Sequence, residues 1–341
     1  MRDMSEFEPC EGVATSSVRT ILVTGGAGYL GVPLCLRLRR AGWAVRALDS
    51  LMYGQSEVAT LLEDAGVDLV VGDIRDGDAR KRSLQGIDAV VHLAAIVGDP
   101  ACARDPQLSQ AVNVEAPRGL LRDMEEAGIA RIVFASTCSN YGLMADRDVL
   151  MTEESPLAPV SLYAEQKVAV EQDLLASRRA SLAATCLRLA TVYGVAPRMR
   201  FDLTVNEFTR DLWLGRDLDV FGEQFWRPYV HVDDVGRAVM AVLEAPLGTV
   251  AGQVFNVGST HENYRKLDLI EIIREHIDTG SVTYVHREED PRDYRVSFGR
   301  IATVLDYRIS KTVSDGVVEV RDALAEGAFA DPFAPIYGNV S

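Results

Sequence analysis

Short apolar runs alternate with longer stretches of helical periodicity along most of the chain. The runs are "RTILVTG", "AVRALDS", "DLVVGDI", "DAVVHLAA", "RIVFAST" and "TCLRLATVYG". Alternation of this kind predicts a parallel sheet with crossover helices on both faces. Residues 19 to 194 are therefore expected to form a doubly wound α/β sheet. Beyond 194 the rhythm loosens into a helical pattern at 203 to 215, the run "LDVFG", a helix after "HVDD", the strand-like "QVFNVG" and a helix near 265 to 277. Residues 195 to 341 are expected to form a smaller α/β lobe, with a cleft between it and the sheet. Residues 1 to 18 read as a loose tail.

At 341 residues the chain can bury a sizeable core in one large or two fused units. A net charge of −15 argues against nucleic acid or an anionic membrane as the main partner. An anionic small substrate would then need locally placed arginines. The five cysteines, Cys10, Cys35, Cys102, Cys138 and Cys186, are odd in number and contain no CxxC pair, which fits a reducing cytoplasm better than a disulfide framework. The histidines show no metal-ligand spacing, so no metal site is expected. The first residues are acidic and lack the apolar core of a signal peptide, and no apolar run is long enough to span a bilayer.

Chemistry enters with "TGGAGYLG", where Gly25, Gly28 and Gly31 follow an apolar strand and open a helical pattern. Glycines in such a turn let a pyrophosphate approach backbone N–H groups at a helix N-terminus. Tyr29 and Leu30 belong to the same expected cradle. Asp49 ends the next strand, where a carboxylate can accept hydrogen bonds from an adenosine ribose and would repel a 2′-phosphate, favouring NAD over NADP. A second group is "FASTCSNYG" followed by "SLYAEQK". Tyr163 and Lys167 are four apart and share a helix face, so Thr137, Tyr163 and Lys167 can converge as hydroxyl, phenol and ammonium.

Together with "GDIRD", "VVHLAA" and "WRPYVHVDD", these motifs resemble the extended short-chain dehydrogenase/reductase family, in its NAD-dependent nucleotide-sugar epimerase and dehydratase branch, over residues 19 to 325. The resemblance implies a Rossmann fold, NAD as cofactor, a nucleotide-diphosphate sugar as substrate and a homodimer built on the Tyr163 helix and the helix after "GDPACARDP". It implies that Asp73 and Ile74 contact the adenine, that Leu93, Ala94 and Ala95 line the cofactor, and that Asn113 lies near the active-site backbone. Tyr163 would be the general base, Lys167 would hold the nicotinamide ribose and stabilise the phenolate, and Thr137 would bind the reacting sugar oxygen. Asn206, Arg227, Arg292 and Arg295 would meet the substrate diphosphate, and His231 would be structural. Thr191 departs from the asparagine that many members carry.

The reaction turns on the residues after Thr137. Family 4,6-dehydratases carry an Asp–Glu pair there, and its decarboxylases carry glutamate at the second position; here the two are Cys138 and Ser139. Oxidation at C4, rotation of the 4-keto sugar and return of hydride survive as the leading expectation, a 4-epimerase. Cys138 as acid or base keeps open a dehydratase or C5 epimerase, although family members acting at C3 and C5 place their cysteine one position further along. A 4-ketoreductase is a further alternative, and a non-enzymatic dinucleotide sensor ranks last.

Overall fold

The computed structural model describes residues 20–142, 149–176, 182–288 and 293–339, so the expected tail and Arg292 lie outside the described residues. In chain order the strands are β1 (Thr20–Thr24), β2 (Ala44–Asp49), β3 (Asp68–Val71), β4 (Ala89–His92), β5 (Arg131–Thr137), β6 (Ala183–Leu189), β7 (Thr191–Tyr193), β8 (Leu218–Phe221), β9 (Trp226–His231), β10 (Gln253–Val257), β11 (Asn263–Arg265) and β12 (Val282–Val285). Seven of them form the main sheet in the order β10-β6-β5-β4-β1-β2-β3, with every pairing parallel.

A sheet covered on both faces needs apolar side chains on both, which is why its strands read as continuous apolar runs. In β1, Ile21 and Val23 face one core and Leu22 the other, and all three are buried. On the first face, Val32, Cys35 and Leu38 of the helix Gly31–Arg40 share a core with Val235, Val239 and Val242 of the helix Val232–Glu244. On the second, Leu120 and Met124 of the helix Ala116–Glu126 pack with Val170 and Leu174 of the helix Leu162–Ala176. Each such side chain contributes about 1.5–3 kcal/mol by leaving water.

The chain beyond residue 194 returns to this sheet. β10 is its edge strand, with Val257 opposite Leu189 of β6, and the helix Val232–Glu244 covers one face. Chain order groups both with the second lobe, because parallel pairing across a long crossover leaves no local periodic signal. The remaining strands form the smaller sheets β11-β9-β7 and β12-β8 around Leu212, Val220, Tyr229, Leu269, Ile273 and Val317. In "HVDD", His231 caps the helix Val232–Glu244 by accepting from Asp233 N (3.2 Å), and buried Asp234 accepts from the backbone N–H groups of Ser310 and Lys311.

Behind the carboxyl end of β5 lies a buried polar network. Glu171 of the helix Leu162–Ala176 pairs with Arg188 of β6, and both are almost fully buried. Ser136 Oγ donates to Glu171 Oε2 (2.7 Å), Arg188 Nη1 donates to Tyr141 Oη (3.0 Å), and Tyr141 Oη donates to Asn256 Oδ1 (2.6 Å). One network therefore fixes the helix, β5, β6 and β10 relative to one another. Removing one partner leaves the other as an uncompensated buried charge. Glu171→Ala should cost about 3–5 kcal/mol in urea unfolding, and adding Arg188→Met should recover part of that loss. A single-variant cost below about 1 kcal/mol, the range of a surface pair, would contradict this role.

Candidate active site

A cleft of about 440 Å³ runs along the carboxyl ends of the strands, from Asp73 after β3, past Asp49, the glycine turn and Leu93 to Ala95, to Thr137 and Thr191. Six adjacent strands contribute to it, a span of roughly 24 Å at the usual strand spacing. The order reverses where β1 lies between β4 and β2, and ligands of open α/β sheets bind at such a switch point.

Gly25 has φ +72°, and its N–H donates to Leu48 O (2.8 Å). A Cβ on Gly31 would stand 2.1 Å from Gly25 O, so the turn closes onto its helix only without that side chain. Asp49 Oδ2 accepts from Ala27 N (3.0 Å) and Oδ1 from Leu51 N (2.9 Å), while burial raises its pKa. Each oxygen keeps a further lone pair for a ligand hydroxyl. Asp73 is gripped by Arg75, which holds its carboxyl below the usual range. Gly28, Tyr29, Leu30, Ile74, Leu93, Ala94 and Ala95 also line the cleft. Asn113 sits in a π-helical turn, Ala111–Glu115, accepting from Ile96 N (2.8 Å) and donating to Gln166 Oε1 (2.8 Å). It thereby couples the loop after β4 to the residue preceding Lys167.

Thr137, Ser139, Tyr163 and Lys167 all line the far end of the cleft. Thr137 Oγ1 accepts from Ser139 N (3.1 Å), and Tyr294 Oη donates to Ser139 Oγ (3.4 Å). Lys167 is buried at 4% exposure, donates to Ala135 O (2.8 Å), and lies 5.9 Å from the centroid of the Tyr163 ring. Burial pushes its ammonium down to about 8, and burial pushes the Tyr163 phenol up.

Cys138 is elsewhere. β5 ends at Thr137, and Cys138 opens the short 3-10 turn Cys138–Tyr141 with its side chain in the core, where its Sγ donates to Arg188 O (3.2 Å) and burial raises its pKa. Asn206 is also buried away from the lining: it accepts from Gly194 N (2.9 Å) and donates to Arg200 O (2.9 Å) and Tyr29 Oη (3.2 Å), bracing a loop. Arg227 stacks on Tyr294 (5.4 Å) and Arg295 on Trp226 (5.2 Å); Tyr294 lines the cleft and the two arginines do not. Tyr294, Arg198, Arg200, Tyr53 and Asn339 are lining residues that the motifs do not mark. The arginines have a compositional signal in "PRMRFD"; Tyr294 is concealed between two arginines that draw attention first.

Residues 21–258 match the model of the NAD dependent epimerase/dehydratase family. The chain belongs to that family. The UDP-glucose 4-epimerase of Lactobacillus helveticus is 28% identical over 320 residues, covering 87% of this chain and 94% of that protein. The dTDP-glucose 4,6-dehydratase DesIV of Streptomyces venezuelae, solved with NAD, has a TM-score of 0.80 at 29% identity over 93% of this chain and 99% of that one. The UDP-glucose 4-epimerase of Thermotoga maritima, solved with UDP-glucose, has a TM-score of 0.80 at 26% identity over 91% and 100%.

Membership makes this an NAD-dependent enzyme with the Rossmann architecture, and the lining fits that cofactor. Gly25, Gly28 and Gly31 line the cleft without side chains, so a diphosphate can approach the turn's backbone, and Asp49 offers acceptors at the ribose end. No helix among the described residues is long and apolar enough to cross a membrane.

Lys167 binds its proton less tightly in the folded protein than unfolded. From about pH 8 up to the ordinary lysine range, the unfolded chain holds more protons, so the folded state gains stability as pH rises. Relative to Lys167→Met, the parent should gain about 1 kcal/mol per pH unit across that window in urea unfolding. A difference that stays flat from pH 7 to pH 10 would contradict the buried ammonium.

Proposed function

We propose that the protein is a nucleotide-sugar epimerase that inverts C4 of the sugar through a transient 4-keto intermediate. The observation that carries this reading is the distribution of carboxylates. Among the described residues, those lining the cleft are Asp49 and Asp73, at its β2 and β3 end. Asp49 is three strand spacings from β5, about 14 Å. Around Thr137 the lining is the hydroxyls of Thr137, Ser139, Tyr163 and Tyr294 with the ammonium of Lys167, and no carboxylate among the described residues. Dehydration and C5 epimerisation require a group that removes a proton from carbon, and neither a lining carboxylate nor the core-facing Cys138 supports one there.

Bound NAD supplies a hydride acceptor and donor. Tyr163 Oη takes the O4 proton as the C4 hydrogen leaves as hydride, and gives it back when hydride returns to the other face, so no added oxidant or reductant is needed. Burial raises the phenol and the charge of Arg200 opposes that rise, while Lys167, 5.9 Å from the ring centroid, is assigned the role of holding the phenolate. Thr137 Oγ1 holds O4, and the surrounding hydroxyls leave the keto sugar free to turn. Arg227 and Arg295 meet the diphosphate beyond Tyr294. The proposal includes a cytoplasmic homodimer through the helices Ala116–Glu126 and Leu162–Ala176, which Arg118 and Asp173 link at 2.6 Å. Free thiols at the four described cysteines support the compartment.

The test is a panel of UDP-, TDP-, GDP- and CDP-hexoses, followed by Tyr163→Phe on the substrate found. Turnover should fall by about 10²- to 10⁴-fold or more while NAD binding persists. Near-full activity in that variant would reject the mechanism.

A further inference from the structure

We propose that Arg198 and Arg200 form an anion clamp across the cleft from the glycine turn and grip the diphosphate of the dinucleotide. The inference rests on NAD being the cofactor and concerns residues outside the glycine motif. Both arginines line the cleft and both are buried, Arg198 at 4% exposure and Arg200 at 7%. They lie on the segment after Gly194, which crosses from the second lobe toward the glycine turn.

Their partners divide the two roles. Arg200 Nε and Nη2 donate to the two carboxylate oxygens of Asp202 (2.8 and 2.6 Å), which fixes its fork. Arg198 Nη2 donates to Gly338 O (3.0 Å), and its guanidinium stacks on Tyr53 with 4.6 Å to the ring centroid. Among the described residues no carboxylate bonds it, and its buried Nε has no hydrogen-bond partner. A buried guanidinium with an unused donor is costly unless an anion arrives. Burial first, and then the neighbouring Arg200, lowers the pKa of Arg198.

The opposite wall is complementary. The helix Gly31–Arg40 has no side-chain cap at its N-terminus; Val32 N bonds Gly28 O (3.1 Å) and Pro33 has no N–H, so the N–H groups at the tip of the turn, before Val32, are the ones an anion would meet. The distance between the walls is fixed on two sides. Tyr29 Oη donates to Gly194 O (2.7 Å), and Asn206 ties Tyr29 to Arg200 O. On the other side Tyr337 O accepts from Phe201 N (2.8 Å), and Asn339 bonds both Asp202 Oδ2 (3.2 Å) and Val97 O (3.4 Å). The arginine segment is thus latched to both rims, and a diphosphate between it and the glycine turn would receive backbone N–H groups on one side and guanidinium forks on the other. Forked donors suit phosphate oxygens better than a single ammonium does.

The experiment measures displacement of NADH, by its fluorescence, with NAD, NADP, ADP and adenosine in the parent and in Arg198→Met, Arg200→Met and Arg198→Lys, each checked for folding by thermal melting. The clamp predicts that each Met variant weakens NAD and ADP by about 10- to 100-fold and adenosine by less than about 3-fold, with Arg198→Lys in between. Equal losses for adenosine and ADP would reduce the arginines to structural braces and overturn the proposal, as would unchanged ADP binding. A loss confined to NADP would overturn it in favour of a 2′-phosphate reader. Should the Met variants fail to fold, Arg198→Lys carries the same comparison. A parent that binds no NADH would reject the cofactor instead, and protection against melting by inorganic pyrophosphate, expected in the parent and lost in the variants, would still decide the clamp.

Discussion

The site hangs on one buried ion pair. Tyr163, Lys167 and Glu171 occupy successive turns of one helix, so the contact that fixes Glu171 aims the other two. Arg188 of β6 supplies that contact, and Ser136 of β5 adds a second, which joins the helix to the strand that ends in Thr137. Charges in such surroundings are tolerated only when paired and hydrogen-bonded, so the arrangement forms as a whole or not at all. Thr137, Tyr163 and Lys167 are thereby assembled by a network that touches none of their reactive atoms.

Electrostatics then divides the cleft. The chain carries a net charge of −15, yet the cleft combines Lys167, Arg198 and Arg200 with Asp49 and an Asp73 already paired to Arg75. Local cations in an acidic protein focus an anionic ligand into the groove. Lys167 is charged against the cost of its own burial, and the same burial keeps the Tyr163 phenol protonated until positive charge stands beside it. Arg227 stacks on Tyr294 at the other end of the cleft, where the lining is the hydroxyls of Thr137, Ser139 and Tyr163 with Lys167.

Much of this was legible in the sequence because it is local. Glycine spacing, an acid at the end of the following strand and a tyrosine and lysine one helical turn apart each encode geometry within a few residues, and the strand runs encode a sheet buried on both faces. What was not legible depends on long-range packing. β10 joins the main sheet through pairing with β6, and Asn206 turns out to brace Tyr29 and Gly194 across the fold. Arg198 and Arg200 reach the cleft only because the segment after Gly194 folds back over it. The direction of Cys138 belongs with these, because the residue opens the turn Cys138–Tyr141 after β5 has ended and its thiol is placed by packing against Arg188 O.

The account stands or falls on the fate of hydrogen at carbon. The most direct measurement is deuterium incorporation at carbon in product formed from a nucleotide sugar in D₂O, read by NMR and mass spectrometry. An epimerisation confined to C4, with hydride leaving and returning within one closed cleft, predicts inverted product with no solvent deuterium on carbon. Deuterium at C3, C5 or C6 would contradict it and place a carbon base where the described lining offers hydroxyls and Lys167 but no carboxylate.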